Sequence, residues 1–364
     1  MKALVVVTRQ IGDVLLTTPL IRSLARAYPG IVIDVLVTRG TEGALAGNAD
    51  IRDIITIPER PTIRENVAVL KRIIRRYDLS LTVLPGDRPT GYALAASANN
   101  IGLVPMPGQT GHWKKWLLRR AVPFEPNTMT VAQSLRLADA LGIGRYTCVV
   151  PPSCADTERH TLAGLLSFPL IGSRFVVIHP APLRRYKQWT RNGWREVASY
   201  LHQNDLKVVL TGGPAASERR YTEDLFGDLP FVENLVGRLS LGQVTALIEA
   251  SCLYIGPDTA TTHLAAATGT PTVALYGPTG PTVWGPWPHC YSEPAPPYIN
   301  YAANQRAGNV FLIQGIKDCV PCQREGCENH RESFSLCLDE LPFSRVRNAI
   351  ESLLKDAPPS HTTK

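Results

Sequence analysis

Short apolar strands that run into a polar turn and then into a helix, repeated along the chain, constrain the fold more than any other feature. In the first half, residues 3–7, 31–37, 54–57 and 79–84 read as strands, with helical apolar spacing over 14–28 and 67–76. Strands that alternate with helices imply right-handed crossovers and a parallel sheet. The pattern pauses in the Pro-rich stretch 150–153 and restarts near residue 172. Strands are then expected over 174–179, 206–211, 253–255 and 272–276, and helices over 193–203, 217–226, 241–250 and 261–268. Residues 285–342 are Pro-rich and read as irregular, 344–354 as a last helix, and 355–364 as a frayed tail. The expected fold class is α/β, with domains over 1–170 and 171–345 and a C-terminal helix and tail over 346–364.

Length agrees with this division, since 364 residues at about 150 per domain make roughly two domains. Hydrophobic residues are 44% and charged residues 19%, so each half has the material for its own core. The N-terminus is a strand signal rather than a secretory leader, and no apolar run reaches the roughly 18 residues of a membrane span. A cytoplasmic protein is expected. A net charge of +7 favours an anionic partner, whether nucleic acid, anionic lipid or a phosphorylated small molecule.

Three turns could carry chemistry. The first, Arg9-Gln10-Ile11-Gly12-Asp13, joins the first strand to the first helix, at the strand end where α/β proteins bind ligands. Asp13 reads equally as a helix cap and as a catalytic carboxylate. The run lacks the G-x-G-x-x-G of dinucleotide sites. The second turn holds Asp258, Thr259, Ala260, Thr261, Thr262 and His263, followed by a small-residue helix. Helix-start amides and hydroxyls suit an anion such as a diphosphate, although Asp258 could simply cap the helix. The third, His179-Pro180-Ala181, leads into a basic loop with Arg184, Arg185 and Lys187. A lysine at a strand's carboxyl end suits phosphate, and a solvated basic loop is the plainer alternative.

Two further features stand apart. Cys319, Cys322, Cys327 and Cys337 fall within 19 residues and could form a tetrahedral zinc or iron site or remain reduced thiols. A closed four-thiolate site would be structural, with no open position for substrate. Basic residues recur in the first half at Arg60, Arg64, Lys71 and Arg72, and again over 111–120, where Trp113 and Trp116 interleave with Lys114, Lys115, Arg119 and Arg120. That segment reads either as a solvated helix face or as a contact with an anionic membrane surface.

Three segments together resemble glycosyltransferase family 9, the bacterial lipopolysaccharide heptosyltransferases, with most likeness to the branch that adds the third heptose. They are I-G-D-V-L-L-T-T-P, K-Q-W-T-R-N-G-W-R-E and D-T-A-T-T-H-L-A-A-A-T-G-T-P-T-V-A-L-Y-G-P-T, in the family's order. The resemblance spans about residues 1–350. It implies a GT-B fold, two Rossmann-like domains with parallel sheets facing across a cleft, the first taking the acceptor and the second the sugar nucleotide. The implied reaction is an inverting transfer of heptose from ADP-L-glycero-β-D-manno-heptose to the lipopolysaccharide inner core or a lipid A-linked acceptor. It would run without a catalytic cofactor, in peripheral contact with the inner membrane and without nucleic acid.

Carried onto this chain, Asp13 matches the family's general base and Lys187 a lysine on the donor phosphates. Glu218 matches an acid near the ribose, and Asp258, Thr259 and His263 match the donor-binding turn. His179, Ala260 and Thr262 join the expected donor set, and Arg60, Arg64, Lys115 and Arg120 the expected acceptor set. Some relatives hold iron on four cysteines, which keeps a structural zinc or iron at Cys319, Cys322, Cys327 and Cys337 as an expectation. The chain departs from the family pattern at Ala260, where glycine is common, and at Thr190, where proline is common. The alternatives are another sugar nucleotide or a protein acceptor within the same family and, in a different class, a nucleic-acid-binding protein with a cysteine metal knuckle. The last predicts one clustered basic stripe, whereas the basic residues here are spread.

Overall fold

The computed structural model describes residues 1–356, so part of the expected tail, 357–364, lies outside the described residues. Two compact units divide between Pro152 and Ser153, inside the Pro-rich stretch and ahead of the boundary expected at 170.

The first unit is a parallel sheet of β1 (Lys2–Val7), β2 (Val32–Thr38), β3 (Asp53–Ile57), β4 (Leu79–Thr82), β5 (Asn100–Val104) and β6 (Arg120–Pro123). Its order is β3-β2-β1-β4-β5-β6, the doubly wound arrangement in which the chain reverses direction between β1 and β4. Leu4, Val6, Leu36 and Ile55 pack with Ile73 of the helix Ile63–Ile73 and Ala93 and Ala96 of the helix Asp87–Ala96. Burial of both sheet faces explains the unbroken apolar strands.

The helix expected over 14–28 is two helices, Ile11–Leu15 and Thr18–Ala27. Pro19 causes the break, because its ring would clash with the Leu15 carbonyl in a continuous helix. Thr18 Oγ1 donates to that carbonyl at 2.7 Å, and Thr17 Oγ1 donates to the Asp13 carbonyl at 2.8 Å. The helix expected from 67 begins earlier, at Ile63, because Thr62 and Glu65 form a capping box.

The second unit contains β7 (Phe175–Ile178), β8 (Lys207–Leu210), β9 (Val232–Asn234), β10 (Leu253–Pro257), β11 (Thr272–Tyr276), β12 (Asn304–Ala307) and β13 (Val310–Gln314). Among the described residues the order is β12-β13-β11-β10-β7-β8-β9. All neighbours are parallel except the β12–β13 hairpin, so the stretch expected to be irregular supplies two strands. Without β12 the order repeats that of the first unit, with the reversal between β7 and β10. Val346, Ala349, Ile350 and Leu353 of the last helix, Phe343–Asp356, belong to this unit's core with Val176, Ile255 and Trp194.

Candidate functional site

The reversal points place two groups of polar residues at the carboxyl ends of central strands, where neighbouring crossovers diverge and leave a crevice. In the second unit, His179 follows β7, Thr211 follows β8 and Asp258–Thr262 follows β10. His179 shares hydrogen bonds with Thr211 Oγ1 at 3.1 Å through Nδ1 and with Thr261 Oγ1 at 3.5 Å through Nε2. Burial lowers its pKa to about 4, so the ring is neutral near pH 7.

The turn after β10 corrects the capping alternative. Thr259, not Asp258, is the cap: its Oγ1 accepts from the Thr262 amide at 3.3 Å and the helix Ala260–Thr268 follows. Thr262 Oγ1 donates to the Pro257 carbonyl at 2.5 Å, which locks the turn. Asp258 faces Lys187 instead, with its carboxylate 2.6 Å from the ammonium. Burial alone would raise the Asp258 pKa, but Lys187, by charge and hydrogen bond, holds it below the usual carboxylate value. The Asp258 side chain is 7% exposed and that of Lys187 24%, so the cation remains within reach of solvent.

His263 lies one turn into the same helix, buried, with Nδ1 lacking a hydrogen-bond partner among the described residues. Burial first and then Lys187 lower its pKa to about 4, against the opposing pull of Asp258. Both histidines are therefore neutral, and Lys187 is the positive group at this turn. The half-buried Thr259 and Ala260 open the helix, where the first amides have no intrahelical acceptor. An anion placed there would meet backbone donors, the helix dipole and one ammonium. Glu218, in the first turn of the helix Ala216–Phe226, accepts from the Gly213 amide at 2.6 Å and so shapes the loop after β8.

Lys187 is presented by a loop held from behind. Thr190 Oγ1 caps the helix Arg191–Gln203, accepting from the Gly193 amide at 3.1 Å. Trp189 and Trp194 meet edge to face at 5.3 Å, and Trp189 Nε1 donates to the Leu341 carbonyl at 2.9 Å. Gly193 permits this packing, because a Cβ there would come within 2.4 Å of the Trp189 ring.

In the first unit, Asp13 lies buried in the first turn of Ile11–Leu15 with Oδ2 3.7 Å from Arg9 Nε. Burial raises its pKa above the usual 3.8, and Arg9 and the Gln10 and Asp13 backbone only partly offset this. A hollow of about 530 Å³, lined by Thr8, Arg9, Gln10 and Ile11 but not by Asp13, opens at the ends of β1, β2 and β3. Arg9, Arg39, Arg60 and Arg88 line it, with Glu59 as a carboxylate. Of the expected acceptor residues only Arg60 is in this hollow. Arg64 is exposed on the helix Ile63–Ile73, Lys115 lies over the Trp116 ring at 4.7 Å, and Arg120 on β6 binds the Ala140 carbonyl. Arg9 belongs to the first polar turn read from the sequence, whereas Arg39 and Arg88 escaped that reading because they lie in separate parts of the chain. Arg39 directly follows β2 and Arg9 lies two residues past β1, whereas Arg88 is in the first turn of the helix Asp87–Ala96.

The four cysteines of residues 319–337 lie near one another in the second unit. Among the described residues no group of three or more His, Cys, Asp or Glu side chains is placed to hold one metal ion. Cys319 and Cys327 are exposed, Cys322 is half-buried and Cys337 is buried. Burial first, then the nearby Cys322, Cys319 and Cys327, push the Cys337 thiol up to about 12. Cys327 Sγ accepts the Leu336 amide at 3.4 Å.

Comparison with known proteins places this architecture. The E. coli ADP-heptose lipopolysaccharide heptosyltransferase II structure matches with a TM-score of 0.73 and 20% identity, over 98% of this chain and 99% of that one. The E. coli heptosyltransferase WaaC with ADP matches with a TM-score of 0.71 and 20% identity, over 97% and 100%. The chain has the α/β GT-B fold of these structures. The model of glycosyltransferase family 9 (heptosyltransferase) matches residues 98–294. Lipopolysaccharide heptosyltransferase 3 of Escherichia coli is 30% identical over 76% of this chain and 83% of its own length. The chain belongs to glycosyltransferase family 9.

Proposed function

We propose that this enzyme transfers heptose from ADP-L-glycero-β-D-manno-heptose to the inner core of lipopolysaccharide, with inversion, in the manner of the third-heptose branch. The observation that carries the reading is the turn Asp258–Thr262, where a buried carboxylate holds Lys187 beside a half-buried helix start. The solved relative that contains ADP supports the nucleotide.

Asp13 takes the proton from the acceptor hydroxyl, whose oxygen then attacks the anomeric carbon. The bond from that carbon to the diphosphate oxygen breaks, and ADP leaves with the electron pair. Lys187 and the amides of Ala260 and Thr261 stabilise the charge that develops on the diphosphate, which is the task a metal ion performs in other transferases. His179, Thr262 and His263 shape the pocket as neutral groups, and Glu218 orders the loop expected to face the ribose. The acceptor's anionic groups are held by Arg60 with Arg9, Arg39 and Arg88, and Arg64 adds to the field from the neighbouring helix. No catalytic cofactor takes part. The acceptor is lipid-linked, so the enzyme works at the cytoplasmic face of the inner membrane.

A panel of sugar nucleotides with purified, deacylated core oligosaccharide tests this. ADP-heptose should be the preferred donor, with the β-linked donor giving an α-linked product and with turnover unchanged by EDTA. Preference for another nucleotide sugar, or transfer only to a protein, would overturn the assignment.

A further inference from the structure

We infer that the turn His112–Trp116 is a docking surface for an anionic lipid bilayer. This deepens the proposed action at a membrane, since it names the surface that touches it. The segment follows β5 at the carboxyl edge of the first sheet and is a short 3-10 turn. In such a turn residues three apart share one face. Trp113 and Trp116 are so spaced, and they are 57% and 80% exposed, with Leu117 at 50%. Large side chains are normally withdrawn from water, and two indoles beside a leucine form an apolar patch with polar rims.

The turn is held from beneath. Lys114 is buried, its ammonium 2.5 Å from the Asp87 carboxylate and donating to the Pro85 carbonyl at 2.8 Å. Leu118 is buried as well. Gly111, at φ +89°, leaves room for that ammonium, which would lie 2.7 Å from a Cβ there. The aromatic groups are thus presented on a fixed base instead of collapsing onto it.

Charge selects the occupant. Lys115 stands over the Trp116 ring at 4.7 Å, and Arg119 and Arg120 are exposed just beyond. Indoles at the headgroup level, with cations beside them, match the boundary of a bilayer that carries negative lipids. A purely apolar protein partner would leave those cations unpaired. The anchor Asp87 is followed by Arg88, which lines the arginine hollow, so the patch and the hollow share the same sheet edge. A glycolipid anchored in the bilayer would bring its head group to that edge.

The full chain should co-sediment with phosphatidylcholine vesicles that include phosphatidylglycerol and not with phosphatidylcholine alone. Binding should weaken as salt rises, and tryptophan emission should shift to shorter wavelength. Trp113→Ala/Trp116→Ala should lose vesicle affinity at least about tenfold, the scale of withdrawing two large apolar side chains from the interface. The same variant should keep its melting temperature and its rate on a soluble, deacylated acceptor, so failure of docking and failure of heptosyl transfer are read separately. Should the double variant prove unstable, Leu117→Ser provides a second reading on vesicles. Wild-type protein that ignores anionic vesicles, a double variant that binds them as well as wild type, or self-association through this turn in place of vesicle binding would overturn the inference.

Discussion

Lys187 Nζ lies 2.6 Å from Asp258 Oδ2, joining the loop after β7 to the turn after β10 across the reversal of the second sheet. The pair keeps a cation at the helix start while the carboxylate is buried. Lys187→Ala should have two separable consequences. ADP affinity should fall about tenfold or more, the usual scale for one charge-assisted contact to phosphate. The melting temperature should also fall, because Asp258 is left buried without its cation. Asp258→Asn added to Lys187→Ala should recover much of the melting temperature but none of the ADP affinity, as read by calorimetry and thermal unfolding. Unchanged ADP binding in the single variant would remove Lys187 from the donor site.

The same pair has a pH signature. Because the folded Asp258 pKa lies below the ordinary 3.8, the native state holds the proton less readily than the unfolded chain. Its contribution to stability is present above that ordinary value and is lost as pH falls through the folded one. The gap in unfolding free energy between wild type and Lys187→Ala should therefore narrow toward acid pH. A gap that stays constant down to the acid transition would mean that the ion pair contributes nothing.

Arg39→Ala and Arg60→Ala should raise the KM for the anionic acceptor, each by about tenfold, while leaving ADP affinity alone. Both line the hollow in the first unit, and Arg39 also stands 4.0 Å from Glu65 on the neighbouring helix. Initial-rate kinetics with varied acceptor reads the effect. The wild-type KM should rise with salt, and that rise should be smaller in either variant. A changed ADP affinity with an unchanged acceptor KM would move these arginines out of the acceptor site.

Gly193→Ala should destabilise the enzyme by about 1–3 kcal/mol, the scale of overpacking a filled core. The added methyl would fall 2.4 Å from the Trp189 ring, which packs against Trp194. Thermal unfolding with and without ADP checks it. Because Trp189 is two residues from Lys187, the stabilisation by ADP should shrink as well. A variant as stable as wild type would show that the Trp189 ring can shift freely.

The central strands were legible because Val, Ile and Leu fill them and a polar turn ends each one. β5 and β6 were not, since Gly102, Arg120 and Pro123 interrupt the apolar run. The helix Asp87–Ala96 was hidden by Pro89 and Gly91, and β12 and β13 lay inside a Pro-rich stretch. For the donor turn, Asp258, Thr259 and His263 sit side by side in the sequence, so their grouping could be read directly. Their pairing with Lys187 depends on β7 and β10 being neighbours, which local sequence does not encode. Of the arginine hollow, Arg60 and the turn with Arg9 were legible, but their grouping with Arg39 and Arg88 depends on neighbouring strands in the same way. The cysteine spacing left a metal site and reduced thiols both open, because spacing carries no information on whether four thiols close around one point.

Asp13→Asn should lower turnover at least about a hundredfold, the usual scale for losing a general base, with little change in ADP affinity. Burial raises the Asp13 pKa above 3.8, which makes the ionised carboxylate a stronger base than an exposed aspartate. The native state therefore keeps this proton to a higher pH than the unfolded chain does. Stability falls as pH rises through the interval between the two values, and above it the buried charge is a fixed cost. Asparagine carries no charge to bury, so the variant should melt no lower than wild type at neutral pH. A residue retained only as a helix cap would behave oppositely, with a lower melting temperature and near-normal turnover. The pH profile provides an independent check: the acid limb of wild-type kcat/KM should reflect a group above the ordinary carboxylate value and should be absent from the residual activity of Asp13→Asn. An acid limb that survives in the variant would assign the base to another residue.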